Sequence, residues 1–272
     1  MIKAKKRFGQ NFLKDESILE KIIQSMPNDE KKIVEIGPGL GDLTKRLLES
    51  GEREVVAFEI DLELCDYLQD KFVDQLQTKE LTLVCNDVIK EWDNRKSLLH
   101  QPYHLIANLP YYVATNIILR ALEETHCSSI LVMIQKEVAQ KFSAQVGDKN
   151  FSALSVLASA ISDCRILFDV PPECFDPAPK VTSSILWLSK KGSYIPDERY
   201  KGLFVSKEEF EKFKVFLRVS FSAPRKTLIK NLKSNYSKEL ILEYFNQNEI
   251  AHNLRPHQLS ISHYHLLFRK IN

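Results

Sequence analysis

Glycine, proline and long hydrophobic runs are scarce in this chain, and each shortage excludes a class of protein. The 272 residues include only 8 Gly and 11 Pro, too few for a collagen-like or low-complexity chain. No apolar run approaches the roughly 20 residues that span a bilayer, and Ile130–Ile134 is among the longest. The basic N-terminus leads into Phe8–Phe12 instead of an apolar segment, so we expect neither a membrane span nor a signal peptide.

Cysteine is also sparse and follows no recognisable spacing. The five cysteines are scattered, with no Cys-x-x-Cys pair, which favours reduced thiols in a cytoplasmic protein over a disulfide framework or a zinc site. His257, His263 and His265 match no strong zinc spacing, so no metal is expected. The Gly-x-Ser-x-Gly motif of serine hydrolases and the P-loop motif are missing too.

The charge is nearly balanced overall but segregated along the chain. Residues 1–14 carry five basic and no acidic side chains, residues 15–200 carry twenty basic and thirty acidic, and residues 201–272 carry thirteen basic and six acidic. The stretch Lys212–Lys238 has eight basic residues, no acidic ones and four aromatic residues. Such segregation is typical of a protein that binds a polyanion, although a solvated helix face has the same composition.

Short apolar runs alternate with helical spacing from about residue 33 onward. The predicted strands are Lys32–Ile36, Glu54–Phe58, Leu81–Cys85, His104–Ala107 and Ser129–Ile134. Helical patterns lie between them at Asp42–Ser50, with Asp42 as the expected N-cap, at Leu62–Leu76 and at Ala114–Glu124. This alternation predicts βαβ units and a mostly parallel sheet.

The pattern changes after Pro171. Val181–Leu188 has strand character without a following crossover helix, which predicts an antiparallel strand at the far side of the sheet. Lys190–Pro196 resembles a linker, and helical patterns follow at Lys207–Phe221, Arg225–Ser234, Lys238–Asn246 and Pro256–Lys270. We therefore predict an α/β fold, with a Rossmann-like sheet domain over residues 1–190 and a small all-helical domain over residues 191–272.

A glycine-rich loop with flanking acids follows the first predicted strand. Gly37, Gly39 and Gly41 have Gly-x-Gly-x-Gly spacing, not the Gly-x-Gly-x-x-Gly spacing of the dinucleotide fingerprint. Glu35 and Asp42 flank the loop, and two carboxylates would repel a diphosphate. They suit a ligand with a sulfonium and an ammonium group, such as S-adenosylmethionine (SAM).

Two further acids come directly after the next two strands. Glu59 ends the second strand, where a carboxylate could accept hydrogen bonds from both hydroxyls of a ribose. Asp87 follows the third strand and could receive the adenine amino group. The carboxyl ends of parallel strands share one edge of a sheet, so these acids and the glycine loop predict one adenosine-binding crevice.

The segment Asn108–Tyr111, with the sequence Asn-Leu-Pro-Tyr, closes the fourth predicted strand at the same edge. It suits methylation of an amine conjugated to a ring, which is a poor nucleophile because its lone pair is delocalised. Hydrogen bonds to the Asn108 side-chain oxygen and the Leu109 carbonyl would free that lone pair. Pro110 would fix the turn, and the Tyr111 ring offers a face on which a flipped base can stack.

These residues make the chain similar to the rRNA adenine N6,N6-dimethyltransferase family, and within it to the bacterial small-subunit enzymes. The similarity runs in order through Lys6–Leu13, Glu35–Gly41, Phe58–Asp61, Asn86–Asp87, Asn108–Tyr111, Val170–Val181, Ser220–Leu232 and Arg255–Ser260. Tyr112 stands where relatives often have a small polar residue, and Phe151–Ser152 where many have Tyr-Gly. Neither departure falls within those segments.

The resemblance implies SAM-dependent dimethylation of two adjacent adenines in a hairpin near the 3′ end of 16S rRNA. The partner would be the immature 30S subunit, and the enzyme a cytoplasmic monomer. The implied cofactor contacts are Asn11, Leu13, Gly37, Glu59, Asp87 and Asn108. Phe175 would join Asn108, Leu109, Pro110 and Tyr111 in catalysis, as a second ring opposite Tyr111. We expect Arg225, Lys226 and Lys230, in the acid-free stretch, to bind rRNA.

Other functions share part of this pattern. A large-subunit rRNA adenine methyltransferase of the antibiotic-resistance type is one, but the helical tail with Arg225–Leu228 and the leucine at 109 favour the small-subunit enzyme. A ribosome-assembly factor with dispensable catalysis is another. The intact Asn108–Tyr111 segment argues against lost catalysis and leaves a dual role open. The glycine spacing disfavours a nicotinamide dehydrogenase.

Overall fold

A computed structural model describes residues 4–5, 8–51, 53–95 and 97–272, without the side chain of Arg95. The strands are β1 (Phe12–Leu13), β2 (Lys32–Ile36), β3 (Val55–Glu59), β4 (Leu81–Cys85), β5 (Tyr103–Asn108), β6 (Cys127–Gln135), β7 (Ser162–Val170), β8 (Phe175–Asp176) and β9 (Ser183–Lys190). The α-helices are α1 (Glu16–Gln24), α2 (Asp42–Glu49), α3 (Leu62–Lys71), α4 (Val73–Thr78), α5 (Val88–Arg95), α6 (Ala114–Glu123), α7 (Lys136–Ser143), α8 (Ala153–Ile161), α9 (Lys207–Ser220), α10 (Leu228–Leu232), α11 (Lys238–Gln247) and α12 (Ile261–Ile271).

The described strands form a Rossmann-like sheet in the order β4–β3–β2–β5–β6–β9–β7. The Rossmann-like sheet and its antiparallel strand agree with the prediction, but that strand was expected at the far side of the sheet, whereas β9 lies between β6 and β7. Pairing is parallel from β4 through β6, and β9 runs antiparallel to β6. The chain builds outward from β2 to β4 and then returns to β5 on the other side of β2. Ligands bind at the carboxyl ends of the strands beside such a reversal.

The strands are apolar along their length because both faces of the sheet are covered. Every residue of β3 is buried, as are Tyr103–Ala107 of β5, which is typical of a parallel sheet between helices. Helices present a single apolar stripe instead: α2 buries Leu43 and Leu47, four residues apart. The sheet thereby becomes a rigid platform whose carboxyl edge carries the polar residues of the site.

Some elements differ from the prediction or were missed. The predicted helix Leu62–Leu76 breaks at Phe72, whose φ is −117° and whose ring is buried in the core. No strand was predicted at β7, which forms one edge of the sheet, and its burial alternates irregularly. The two-residue strands β1 and β8 pair only with each other, a contact between distant segments that leaves no local signal.

The expectation of reduced thiols is wrong for two cysteines, because Cys65 and Cys85 form a disulfide in the structure. Helix α3 packs on β4 and places their Cα atoms 6.0 Å apart, a usual separation for a disulfide. Cys127, Cys164 and Cys174 are free. The disulfide joins residues twenty positions apart, and no sequence motif predicts this pairing.

The chain divides into two compact units, Met1–Ala139 with Arg165–Lys190, and Gln140–Cys164 with Lys191–Asn272. Residues 140–164 thus group with the C-terminal helices; for example, the Tyr194 hydroxyl donates to the Leu157 carbonyl at 2.9 Å. The division at residue 190 stays a prediction. The second unit buries an aromatic cluster formed by Phe204, Phe213, Phe216 and Phe268.

Two predicted helices of the second unit start later than expected. The pattern at Arg225–Ser234 becomes the short helix α10, because Thr227 caps it by accepting a hydrogen bond from the Lys230 amide. The pattern at Pro256–Lys270 begins with a 3₁₀ turn before Ser260 caps α12. In both cases the N-cap residue determines where the helix starts, whereas the apolar periodicity alone predicts a start that is too early.

Candidate active site

One pocket lies at the carboxyl ends of β2 to β5, and it contains all six residues predicted to bind a cofactor. Asn11, Leu13, Gly37, Glu59, Asp87 and Asn108 all line it. Each side of the crevice comes from a different strand end, as the reversal in strand order requires. The structure therefore brings together residues that lie up to 97 positions apart, such as Asn11 and Asn108.

The glycine loop holds its shape through backbone conformations that favour glycine. Gly37, Gly39 and Gly41 have φ values of +71°, +60° and +75°. A side chain at Gly41 would also place its Cβ 2.6 Å from the ring of the buried Phe72. Gly41, not Asp42, occupies the N-cap position of α2, which corrects the predicted cap. Asp42 pairs instead with Lys14, at 2.5 Å.

Glu59 is only 4% exposed, so it does not point to the surface but into the pocket wall. Its two oxygens accept hydrogen bonds from the backbone amides of Gly39, at 3.3 Å, and Asp61, at 2.9 Å. Burial raises the pKa of this carboxyl, and these amides partly offset the rise. Glu59 thus ties the glycine loop to the end of β3, and its remaining lone pairs can accept from ligand hydroxyls.

Asp87 and Glu35 border the pocket with different environments. Asp87 is half-buried, and one oxygen caps α5 by accepting from the Ile89 amide at 2.9 Å. Glu35 is fully enclosed, and the Thr44 hydroxyl donates to it at 2.7 Å. Burial raises the pKa of Glu35 to about 8, and the charge of Glu59 adds to the rise. Enclosure therefore favours the protonated form of Glu35.

The Asn-Leu-Pro-Tyr turn presents its acceptors to the pocket. The Asn108 amide nitrogen donates to the Asn11 carbonyl at 3.0 Å, so Oδ1 is the atom left to accept from a ligand. The Leu109 amide bonds to the Met133 carbonyl, and the Pro110 carbonyl accepts from Val113. No hydrogen bond to the Leu109 carbonyl occurs within the described ranges, which leaves it available as a second acceptor.

Tyr111 stands between two pockets. Its ring lines the cofactor pocket and also a neighbouring cavity, which Gly9–Asn11, Gln135 and Pro177–Val181 complete. The Tyr111 hydroxyl bonds to Ser183 of β9 at 2.7 Å, and burial raises its pKa. Ser183 was not among the predicted site residues, because a serine in a strand does not by itself indicate a function.

Comparison with known proteins decides the family. A family profile described as ribosomal RNA adenine dimethylase matches residues 1–272. The chain belongs to this dimethylase family. It is 49% identical over 268 residues to "Ribosomal RNA small subunit methyltransferase A" of Campylobacter concisus, which covers 98% of this chain and 94% of the relative. The protein of that name from Sulfurimonas denitrificans is 48% identical with the same coverage.

Two solved structures share the fold of this dimethylase. A dimethyladenosine transferase from Plasmodium falciparum has a TM-score of 0.74 at 24% identity, covering 94% of this chain and 95% of that one. The 23S rRNA methyltransferase ErmE has a TM-score of 0.70 at 20% identity, covering 96% and 99%. Both the α/β fold and the SAM-dependent methyltransferase activity predicted from the sequence are confirmed.

The pocket of the dimethylase fits SAM. At Gly37 the bare backbone leaves room in the pocket, because a Cβ there would stand in the space in front of the Pro110 ring, 3.8 Å away. Acids line the pocket at Glu59, Asp87 and Asp42, whereas no lysine or arginine lines it among the described residues. These carboxylates accept hydrogen bonds and carry negative charge, so they suit a ligand with hydroxyls, an amine and a cationic group. They disfavour a diphosphate.

Phe175 is the predicted catalytic residue that the structure does not bring to the pocket. It pairs with Leu13 through β8 and β1, is 6% exposed and packs in the hydrophobic core. Neither of the two pockets described above includes its side chain. Its assignment as a second aromatic ring stays a prediction, and the packing in this dimethylase supports a structural role instead.

Asp61 was missed by the sequence analysis as an anchor of the N-terminal segment. Its carboxylate accepts from Lys5 Nζ at 2.7 Å and from Gln10 Nε2 at 3.1 Å. Burial would raise the pKa of Asp61, but these two donors outweigh it and lower the pKa. The resemblance had pointed to Lys6–Leu13, of which Lys6 and Arg7 lie outside the described residues.

The residues predicted to bind rRNA are exposed in the second unit. Arg225 and Lys226 lie in the turn before α10 and not on a helix, whereas Lys230 is on α10. None of the three forms a salt bridge in the described part of the chain. Their role stays a prediction, because exposure alone does not distinguish an RNA-binding face from a solvated one.

The described residues hold no group of three or more metal-ligating side chains. His263 Nδ1 instead bonds to the Tyr244 hydroxyl at 2.7 Å. His265 is packed between Phe204 and Phe213, and burial lowers its pKa to about 4. In the same part of the chain, no helix has the length and apolar character that crossing a membrane requires.

Proposed function

We propose that the dimethylase transfers two methyl groups to the exocyclic N6 of each of two adjacent adenines in a hairpin near the 3′ end of 16S rRNA. The substrate is the immature 30S subunit, the enzyme acts as a cytoplasmic monomer, and no metal takes part. The names of the curated relatives support a small-subunit substrate. The likeness to ErmE supports only the fold, so the large-subunit alternative is not favoured.

The orientation of the Asn108 amide carries the mechanism. The side-chain nitrogen of Asn108 donates to the Asn11 carbonyl, so its Oδ1 atom is the one that can accept. Oδ1 and the Leu109 carbonyl thus form a pair of acceptors for the two protons of an adenine N6 amine. Accepting both protons draws the nitrogen toward a tetrahedral geometry and localises its lone pair. Preorganised acceptors of this kind need no rearrangement as the reaction proceeds.

When bound, SAM supplies an electrophilic methyl group on a sulfonium. Asn108 Oδ1 and the Leu109 carbonyl would hold the amine so that its lone pair could form the new N–C bond, with the sulfur as the leaving group that would keep the electron pair of the C–S bond. Asn108 Oδ1 and the Leu109 carbonyl stabilise the ammonium that forms, and its proton then leaves to water. Tyr111 holds the adenine by stacking, and the bond to Ser183 fixes the ring position.

The direct test is methylation of small subunits from unmethylated cells with labelled SAM, followed by mapping of the label. We expect labelled dimethyladenosine at the two adjacent adenines. Asn108→Ala should lose most methyl transfer because the oriented acceptor is gone, while subunit affinity, which phosphate contacts dominate, should change little. Asn116→Ala, an exposed asparagine on α6, is the matched control. Near-normal turnover of Asn108→Ala would refute the mechanism, and label elsewhere in the RNA would refute the substrate.

A further inference from the structure

Tyr112 is an exposed aromatic residue on the wall of the cofactor pocket. It follows directly on the Asn-Leu-Pro-Tyr turn, and it is 66% exposed although it lines the crevice together with Glu59 and Asp87. A single exposed apolar side chain is ordinary on a protein surface. One that stands in the wall of a concave site, beside converging polar groups, marks a surface that a ligand covers.

The Tyr112 ring packs against the N-terminal segment, which lines the same pocket. Gly9 has a φ of +61°, and a Cβ built there would lie 3.3 Å from Tyr112 Cδ1. The backbone of Gly9 therefore packs directly against the ring. The same segment is held by Asp61 through Gln10, so the Tyr112 ring packs against an anchored part of the pocket wall.

Tyr112 shares the wall of the pocket with two carboxylates, those of Asp87 and Glu59. Burial raises the pKa of Tyr112, and the charges of Asp87 and Glu59 raise it further. These are the acids assigned above to the adenine amino group and the ribose hydroxyls. Of the several parts of the pocket, Tyr112 thus borders the one that holds the nucleoside.

We propose that Tyr112 is a cofactor-binding residue whose ring covers the adenosine half of SAM, with Gly9 packed against the ring. This inference rests on the assignment of the pocket to SAM. Aromatic rings contribute to nucleobase binding through apolar contact and stacking with any purine face. The ring supplies this contact, and its hydroxyl is not required.

The test compares ligands that share the nucleoside but differ in the amino-acid half. Calorimetry would measure the Kd of SAM, S-adenosylhomocysteine and 5′-methylthioadenosine for wild type, Tyr112→Phe and Tyr112→Ser. We expect Tyr112→Ser to raise all three Kd values by a similar factor of about 10, and Tyr112→Phe to stay within about 2-fold of wild type. Tyr67→Ser, a surface tyrosine outside the pocket, serves as the control.

Each other outcome overturns the inference in a recognisable way. Unchanged Kd values for Tyr112→Ser would show that the ring does not contact the cofactor, and a raised KM for subunits in that case would assign it to RNA. A loss confined to SAM and S-adenosylhomocysteine would place the ring at the amino-acid half. Equal losses in Tyr112→Phe and Tyr112→Ser would assign the effect to the hydroxyl. If wild type bound none of the three ligands, the proposed function itself would fail.

Discussion

The acids of the pocket show how the same residue type takes different roles according to its surroundings. Glu59 accepts hydrogen bonds from two backbone amides and holds the glycine loop, whereas Glu35 is enclosed with one hydroxyl donor, and its enclosure favours the protonated form. Desolvation raises the pKa of both carboxyls. Their roles can be separated by variants that keep the side-chain shape and remove the charge.

Glu59→Gln should weaken SAM binding. The variant keeps one acceptor oxygen but turns the other into a donor, which can no longer accept from a ribose hydroxyl or from the backbone amides. Losing such charge-assisted hydrogen bonds costs about 1.5–3 kcal/mol, which calorimetry with SAM would detect. Glu49→Gln, on the exposed face of α2, controls for the lost charge. An unchanged Kd with an intact thermal transition would remove Glu59 from the ribose site.

Glu35 should make stability depend on pH. Its pKa is about 8 in the folded protein and 4.5 ordinarily, so unfolding between these values releases a proton. The contribution is therefore fully present below pH 4.5, and the free energy of unfolding falls as the pH rises toward 8. Urea denaturation at several pH values should show a steeper fall for wild type than for Glu35→Gln, whose amide cannot titrate. Parallel profiles would contradict the buried, protonated state.

At the scale of elements, Glu124 joins the end of α6 to several neighbours. Its carboxylate accepts from the Tyr103 hydroxyl of β5 at 2.8 Å and from the Leu98 amide at 3.0 Å. The Trp92 indole and the Ser97 hydroxyl donate to it as well. One buried side chain thus fixes α5 and the connection to β5, and the carboxyl edge of the sheet is built on these elements.

Glu124→Ala should destabilise the protein by about 3–5 kcal/mol, because each buried donor left without an acceptor costs about 1–3 kcal/mol. Tyr103→Phe removes one partner only and should cost about 1 kcal/mol. Chemical denaturation would measure both values. A loss below 1 kcal/mol for Glu124→Ala would show that water replaces the carboxylate and that the network contributes little.

The Cys65–Cys85 disulfide joins α3 to β4 directly beside the strand ends that carry Glu59 and Asp87. Closing a loop of this length stabilises a fold by about 3 kcal/mol, because the cross-link lowers the conformational entropy of the unfolded chain. Reductant should therefore lower the thermal midpoint of wild type but not that of Cys85→Ser, with Cys164→Ser as a control that behaves like wild type. Five reactive thiols in the unfolded, unreduced protein would contradict the disulfide.

For the whole molecule, the main feature is the separation of charge between its two units. The acids of the cofactor pocket lie in the first unit, whereas the acid-free stretch Lys212–Lys238 lies in the second. Under the proposed function the two units have opposite tasks, since a cationic cofactor needs acids and an RNA backbone needs bases. We therefore predict that RNA binding can be weakened without loss of SAM binding.

Changing Arg225, Lys226 and Lys230 to Gln should weaken binding to small subunits and flatten its salt dependence. The log–log slope should decrease by about 0.7–0.9 for each lost phosphate contact, while SAM affinity stays unchanged. Changing Lys45, Lys79 and Lys90 to Gln, three exposed lysines of the first unit, controls for the reduction in overall charge. Parallel lines of equal affinity would show that these side chains are only solvated.

The sequence by itself determined the parallel sheet, the glycine loop and the Asn-Leu-Pro-Tyr turn. These features depend on periodicity and on the conformational limits of glycine and proline, which act between near neighbours in the chain. Because the carboxyl ends of parallel strands share one edge of the sheet, the sequence also predicted that Gly37, Glu59, Asp87 and Asn108 lie in one crevice. The family resemblance contributed Asn11 and Leu13, which carry no local signal of their own.

Only the tertiary structure decided how far each of these side chains is buried and what it contacts. The enclosure of Glu59, the core position of Phe175, the Cys65–Cys85 bond and the packing of Tyr112 against Gly9 all join segments that are distant in sequence. The physical reason is that burial and contact depend on the packing of whole elements, which a pattern of neighbouring residues does not encode.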